Sequence, residues 1–160
     1  MKIKKEIRKI LENYSESNKM NFKPELEVPS LELCKRLKEL GFPQFSGGWY
    51  WVLEELTYKE VWKLKLLYNI PYAVDNLKIK APTCRELGEW LPVYLEEDIY
   101  LDIDHPSSDV WIVSYIKTTH PLQKSIISFY DNTEPNVRAK MIIFLAENGH
   151  VKFEEGKGEG

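Results

Sequence analysis

Two acidic side chains and a histidine stand close together in the second half of the chain, and their types suit metal-assisted hydrolysis. Asp102 and Asp104 alternate with apolar residues, so a β-strand would place both carboxylates on one face, with His105 at its end. Carboxylate oxygens bind hard cations such as Mg²⁺, which activate water. The competing interpretation is a solvated strand face that ends in a loop. The sequence favours it, because no further lysine or acid stands at a recognised nuclease spacing.

Cysteine and histidine give weaker indications of chemistry. Cys34 and Cys84 have no second ligand at metal-binding spacing, and Cys34 lies on the apolar stripe of a predicted helix, which favours a small buried hydrophobe over a reactive thiol. His120 and His150 stand beside turn residues and are expected at the surface. The chain has neither a Gly-x-Ser-x-Gly motif nor a glycine-rich phosphate-binding loop. We therefore expect no catalytic residue, no resident metal and no cofactor.

Aromatic residues are a more suggestive feature, since many of them fall on predicted strands. Exposed rings on a sheet stack on nucleobases, at roughly 1–3 kcal/mol per base, and protein interfaces also concentrate Trp and Tyr. The competing interpretation, which we favour for most of the rings, is a core position. Trp49 and Trp51 nevertheless face one side of a strand and Tyr50 the other, so helices on a single face cannot cover them all. The candidate binding residues are Trp49, Tyr50, Trp51, Trp62, Tyr68 and Trp111.

The first part of the chain predicts two helices separated by a linker. Residues 1–14 have apolar side chains at helical spacing, with lysines and an arginine on the other face. Residues 15–29 are polar, contain two prolines and are predicted to be a linker. Ser30 is a suitable N-cap for the next helix, which Gly41 ends.

A β-hairpin is predicted after Gly47-Gly48. Its first strand is Trp49–Leu53, its second begins at Val61, and the connection is Glu54–Glu60. The alternative for Leu56–Leu67 is a short helix. Residues 72–80 are predicted to add a third extended piece.

The second half predicts a short helix, three strands and a longer helix. Thr83 and Glu86 have the spacing of a capping box, in which each satisfies a free N–H group of the other. The strands predicted from alternation and turn residues are residues 99–104, Val110–Lys117 as the central strand, and Ser125–Tyr130. Asp131-Asn132-Thr133 is predicted to cap the last helix, and Val151–Phe153 is predicted to form a short edge strand.

These elements predict an α+β fold. Residues 30–153 are expected to form one domain, an antiparallel sheet of about five strands with helices mainly on one face. Residues 1–29 supply the N-terminal amphipathic helix and linker, and residues 154–160 form a flexible tail.

Composition agrees with a globular, cytoplasmic protein. The hydrophobic share of 43% and the charged share of 29% argue against disorder. No apolar run approaches the roughly 18 residues of a membrane span, and no signal peptide pattern opens the sequence. Residues 1–80 hold 15 Lys and Arg against 11 Asp and Glu, whereas residues 81–160 hold 7 against 14. We interpret this asymmetry as solvated surface rather than a partner-binding face, because neither half has a long run of like charges.

Three segments together resemble a known family. They are Leu33–Gln44 followed by Trp49–Trp51, Ala81–Pro92, and Arg138–Gly149. In this order and spacing, over roughly residues 30–150, the chain is similar to a family of small uncharacterised proteins of bacteriophages and other bacterial mobile elements. The resemblance implies a phage-related setting in the cytoplasm of a bacterial host, and it transfers no activity and no site residue.

The favoured hypothesis for function is a non-enzymatic interaction module, an accessory protein of a phage or mobile element that binds a host or viral macromolecule or a second copy of itself. The second is a nucleotide- or nucleic-acid-binding domain that uses an aromatic sheet face, although a pI of 5.7 gives little attraction for phosphate. The third is a metal-dependent hydrolase that uses the Asp-x-Asp-His stretch. None of the three requires a membrane.

Overall fold

The computed structural model describes residues 4–9, 22–44, 47–68, 76–119 and 121–154. Within them the chain has an α+β fold, as predicted, with two antiparallel sheets. No helix in this part is long and apolar enough to cross a bilayer. The elements in chain order are a helical segment at residues 4–9, a 3-10 turn at Pro24–Leu26, α1 (Leu31–Glu39), β1 (Gly48–Leu56), β2 (Lys59–Leu67), β3 (Lys78–Lys80), α2 (Cys84–Gly88), β4 (Tyr94–Glu96), β5 (Ile99–Ser107), β6 (Val110–Thr119), β7 (Leu122–Asp131) and α3 (Glu134–Glu147).

The strands divide between two sheets, so the prediction of one sheet of about five strands is wrong. The first sheet has the order β2-β1-β3 and the second the order β4-β5-β6-β7. Directly after β3, Ala81 and Pro82 lead into α2, so the chain has left the first sheet before the second begins. Periodicity predicts where a strand lies along the chain, but it carries no information on which strand becomes its neighbour.

The hairpin of β1 and β2 is confirmed, with a tighter turn than the predicted connection Glu54–Glu60. The two strands pair as far as Leu56 and Lys59, which leaves only Thr57 and Tyr58 in the turn. Both turn residues have positive φ, 25° and 82°. A two-residue hairpin turn of this kind matches the twist of the strands. Sequence reasoning missed it because neither position holds the usual Gly or Asn.

The larger apolar core lies between the second sheet and the helices. β6 is one of the two inner strands of that sheet, which agrees with the prediction of a central strand, and its Val113 and Tyr115 are fully buried. The Tyr115 hydroxyl donates to the carbonyl of Pro92 at 2.6 Å, so the ring fills the core while its polar end is satisfied. The α3 residues buried in this core are Val137, Ala139, Met141, Ile142 and Leu145.

Helix α1 contributes to both cores of the protein. Its Leu37 belongs to the larger core, and its Cys34 belongs to a smaller one behind the first sheet. Burial raises the pKa of the Cys34 thiol to about 12, which supports the small buried hydrophobe predicted there. The buried members of the smaller core are Val28, Cys34, Ile79 and Ala81. Val28 comes from the segment predicted to be a linker, so the described end of that segment packs against the sheet.

The predicted edge strand at Val151–Phe153 does not form. Val151 is buried in the larger core, and its N–H donates to the carbonyl of Leu145 at 3.3 Å. The ring of Phe153 packs edge-on against Phe42 and Trp90, with centroids 5.3 and 5.0 Å away. The alternating apolar residues therefore close the end of the core instead of pairing with a strand.

No residue of the predicted trio caps the last helix with its side chain. Thr133 occupies the N-cap of α3 but makes no capping hydrogen bond, and its buried hydroxyl has no partner among the described residues. The Asp131 carboxylate instead accepts from the N–H groups of Asn132 and Thr133, at 2.8 and 3.4 Å, and from the Asn136 amide at 3.1 Å. Burial disfavours ionisation of Asp131, yet Lys140 and Asn136 outweigh it and lower the pKa of that carboxyl.

The N-terminal helix is described only in part. Residues 4–9 are helical, all six are exposed, and Ile7 has 51% of its surface accessible. The rest of the predicted helix at residues 1–14 lies outside the described residues, as do residues 72–75, His120 and residues 155–160.

The capping box at Thr83 predicts a measurable effect on stability. The Thr83 hydroxyl accepts from the Glu86 N–H at 3.4 Å, and the Glu86 carboxylate accepts from the Thr83 N–H at 2.8 Å. Thr83→Ala should therefore lower the free energy of unfolding by about 1 kcal/mol in urea denaturation. Ser30→Ala is the matched control, because Ser30 caps α1 without a side-chain hydrogen bond and should change little. Equal losses in the two variants would contradict the assignment.

Candidate interaction surface

Three tryptophans share one face of the first sheet. Strand pairing places Trp49 opposite Leu66, Trp51 opposite Leu64, and Leu53 opposite Trp62, so all these side chains point the same way. With Phe22, the face defines what we call the tryptophan surface: Phe22, Trp49, Trp51, Trp62, Leu64 and Leu66. The sequence predicted that Trp49 and Trp51 share a face, and the structure adds three residues of β2 and the ring of Phe22.

Helix α1 and the chain before it cover only part of the tryptophan surface. The three indoles pack against the smaller core and are half-buried. The indole N–H of Trp51 donates to the carbonyl of Pro29 at 3.3 Å, which fixes that ring under the covering chain. Phe22, 6.5 Å from Trp49 between ring centroids, remains 62% exposed, and Leu66 remains 42% exposed. The surface therefore continues from the core to solvent as one apolar strip.

A lysine stands beside the end of the tryptophan surface that lies away from Phe22 and Leu66. The ammonium of Lys35, on α1, lies 5.7 Å from the centroid of the Trp62 ring, within the range of a cation–π contact. The same ammonium is 3.1 Å from a carboxylate oxygen of Glu32, one turn earlier on the helix. A ligand over Trp62 would therefore meet a ring and a cation together.

Tyr50 does not belong to the tryptophan surface, because strand alternation directs it to the opposite side. It is 1% exposed, and its hydroxyl donates to the carbonyl of Gln44 at 2.7 Å. Burial raises its pKa. Its ring lies 5.2 Å from the ammonium of Lys80, the residue opposite it on β3. Tyr50 is therefore a core residue and cannot present its ring to a ligand in this arrangement.

Lys80 is the centre of a buried polar network between the first sheet and α2. Its side chain is 1% exposed, and its ammonium contacts Glu86 at 2.8 Å and the carbonyl of Gly47 at 2.7 Å. Its backbone N–H donates to the Gln44 side chain at 2.8 Å. Gly48 makes room for this ammonium: its φ is +125°, and a Cβ there would lie 2.8 Å from the Lys80 nitrogen. Glu86 also belongs to the capping box of α2, so the network joins the two sheets through one helix.

The remaining aromatic candidates lie apart from the tryptophan surface. Tyr68 follows the end of β2 with 81% of its surface exposed, and its ring is not among those packed on the smaller core. Trp111 packs on the larger core, and the ring of His105 stacks on it with centroids 4.0 Å apart and planes 8° apart.

The acidic stretch does not assemble the metal site that the third hypothesis requires. Asp102 and Asp104 do share one face, since they pair with Ser114 and Ile112 of β6. His105 points to the other face and stacks on a ring. Among the described residues, no group of three or more acidic, histidine or cysteine side chains is placed to hold a metal ion.

A second open surface lies on the second sheet, and Asp102 and Asp104 are the members of it that the sequence had indicated. The side of the second sheet opposite the larger core carries alternate residues of its strands, and we call it the outer face. Tyr94 and Tyr130 are 61% and 75% exposed there. The alternation of residues along β5 indicates this face in the sequence, because it places the isoleucines toward the core. The outer face comprises Tyr94, Tyr100, Asp102, Asp104, Ile112, Ser114, Ile116, Ser125, Ser128 and Tyr130.

The outer face is polar at its centre and aromatic at its margins. The hydroxyls of Ser114 and Ser128 lie 2.7 Å apart, and those of Ser128 and Ser125 2.6 Å apart, which forms a hydrogen-bonded row across two strands. The Tyr100 hydroxyl accepts from the Gln123 amide at 3.0 Å. These hydrogen bonds connect neighbouring strands of the face.

Comparison with known proteins gives no assignment. No family model matches this chain, and no curated protein or solved structure matches it significantly. Any functional argument therefore depends on the surfaces themselves.

The Lys80 network predicts a pH dependence of stability. Burial disfavours the ionised form of Glu86, but hydrogen bonds from Lys80 and Thr83 outweigh it and lower the pKa of the carboxyl. A carboxyl whose pKa is lower in the folded than in the unfolded protein stabilises the fold at any pH above its unfolded-state pKa. That stabilisation is lost as the pH falls through the folded-state pKa. From about pH 6 to about pH 3, the wild type should therefore lose more unfolding free energy than Glu86→Gln.

Urea denaturation at a series of pH values measures this difference. Glu32→Gln, which removes an exposed carboxylate of α1, is the control and should follow the wild-type profile. Parallel profiles for Glu86→Gln and the wild type would show that Glu86 does not stabilise the fold through its charge.

Proposed function

We propose that this protein is a non-enzymatic interaction module that binds a macromolecular partner through the tryptophan surface. The observation that carries the proposal is the continuous apolar strip in which three half-buried indoles adjoin the exposed Phe22 and Leu66. Tryptophan side chains dominate the energetic centres of protein interfaces, and exposed apolar patches mark interaction sites on otherwise polar surfaces.

The proposal needs no catalytic group. The side chains best suited to hydrolysis, Asp102, Asp104 and His105, lie on two faces of β5. The cysteines do not supply a nucleophile either, since burial raises the pKa of Cys84 to about 11 and that of Cys34 to about 12. A role as an accessory protein of a phage or mobile element remains part of the proposal, on the resemblance of three segments alone.

The partner should bind through side chains that can be changed without unfolding the protein. Phe22→Glu and Leu66→Glu place a charge on the exposed end of the strip, so each should abolish capture of the partner when the immobilised chain is incubated with bacterial lysate. Leu122→Glu is the matched control, because Leu122 is 72% exposed on the second sheet. Thermal melts should show all three variants folded.

Two outcomes would contradict the proposal. One is a set of captured proteins that survives both strip substitutions, and the other is wild-type protein that captures nothing above an empty support. Equal loss with Leu122→Glu would place the binding surface elsewhere.

The contact of Lys35 with Trp62 favours a second candidate function, binding of a nucleotide or single-stranded nucleic acid. Stacking on the indole and attraction to the ammonium are the two contacts that such a ligand needs. Titration with oligonucleotides and mononucleotides at low salt should then quench tryptophan fluorescence, and Lys35→Met should weaken the quenching. An unchanged emission spectrum at low salt would exclude this candidate.

A further inference from the structure

The face of the first sheet that carries the tryptophans ends in two opposed carboxylates. Its rows of side chains are apolar as far as Leu53 and Trp62, and the next row toward the hairpin turn is Glu55 opposite Glu60. We call these two glutamates the acidic row. From Trp49 to Glu55 the face is about 20 Å long. An extended segment that covers the tryptophans therefore also reaches the acidic row.

The two charges of the acidic row are not neutralised among the described residues. Side chains directly opposite each other on antiparallel strands lie roughly 5 Å apart at Cβ, and like charges at that distance destabilise a hairpin. Both glutamates are exposed, and neither makes an ion pair or a hydrogen bond in the described part of the chain. Lys35, the basic residue beside Trp62, already contacts Glu32 at 3.1 Å. The acidic row therefore presents negative charge to a partner.

On the opposite face of the same hairpin, the acidic side chain is neutralised. Glu54 lies on that face and pairs with Lys63, at 2.9 Å, and with Lys65. Hydrogen bonds from Lys65 and Lys63 lower the pKa of the Glu54 carboxyl. The lysines of β2 alternate with the side chains of the tryptophan surface, so they point away from the acidic row. Of the acidic side chains on β1 and β2, only those of the acidic row are unpaired.

The acidic row lies where the hairpin projects beyond its third strand. β3 pairs with β1 only from Tyr50 to Val52, so no described strand flanks the turn end of the hairpin. Leu56 and Tyr58, next to the acidic row at the turn, are exposed. A partner can therefore reach the two carboxylates while it lies on the tryptophans.

We propose, on the basis of the function proposed for the tryptophan surface, that its partner is a protein segment with an arginine or lysine next to apolar side chains. The apolar side chains lie on the indoles, and the cation lies between the carboxylates of Glu55 and Glu60. One guanidinium can donate to both carboxylates, because its N–H groups form a planar fork. The cation also removes the repulsion within the acidic row. The same row repels phosphate, so it favours a protein segment over a nucleic acid.

Selection of peptides from a random library displayed on yeast tests the charge of the partner. The wild-type protein should enrich peptides with a basic residue beside apolar ones. The double variant Glu55→Lys with Glu60→Lys should enrich acidic peptides instead, and its affinity for a synthetic peptide selected by the wild type should fall roughly tenfold or more. Glu97→Lys with Asp109→Lys, in exposed turns of the second sheet, is the charge-matched control and should keep the wild-type affinity.

The single substitution Glu60→Lys separates binding from folding. It replaces a like-charged pair with an oppositely charged one, so the melting temperature should rise. The affinity for the same synthetic peptide should nevertheless fall, roughly threefold or more, because the row then has no net charge to attract a cation. A raised melting temperature with unchanged affinity would show that the acidic row does not contact the partner, and it would overturn the proposal.

Leu66→Glu, at the other end of the tryptophan surface, distinguishes this proposal from the proposed function. If the selected peptides lose affinity for Leu66→Glu but contain no basic residue, the tryptophan surface binds a protein segment and only the proposal of a basic partner fails. If they bind Leu66→Glu as tightly as the wild type, or if no peptide is enriched, both proposals fail. Binding of a single-stranded oligonucleotide at low salt without any enriched peptide would likewise overturn both.

Discussion

The ion pair between the buried ammonium of Lys80 and Glu86 is the polar contact that links the two sheets. Lys80 stands on β3 of the first sheet and reaches Glu86 of α2, which packs by Leu87 into the core of the second. A buried charge is costly unless it is paired and hydrogen-bonded, so its partners tolerate little displacement. The aromatic ring of Tyr50 and the carbonyl of Gly47 complete its surroundings. The seam between the sheets is therefore polar and directional, whereas each core is apolar.

This seam decides which surfaces remain open. The seam lies on the face of the first sheet that carries Tyr50. The tryptophans lie on the opposite face, where α1 is too short to cover them all. One face of the second sheet packs on the larger core, and no other element covers its opposite face among the described residues. An antiparallel sheet with one polar face is stable in this form. Both open surfaces thus follow from one arrangement of layers.

The sequence predicted local structure well where a residue's neighbours along the chain decide it. The capping box at Thr83, the inner position of β6 and the burial of Cys34 follow from spacing and composition, and the structure confirms them. The division into two sheets depends on contacts distant in sequence, which no periodicity contains. The exclusion of Tyr50 from the surface was missed for the same reason, since its environment is set by a lysine far along the chain.

The fit of Gly48 against the Lys80 ammonium has an evolutionary consequence. A side chain at position 48 would need both a relaxed backbone and a displaced ammonium, and the displaced ammonium would leave the Glu86 carboxylate behind. We therefore expect these three positions to covary, because a change at any one of them is tolerated only with a change in the others. In any set of related sequences, the glycine, the lysine and the acid should be present together or replaced together, and that covariation would reveal the seam without a structure.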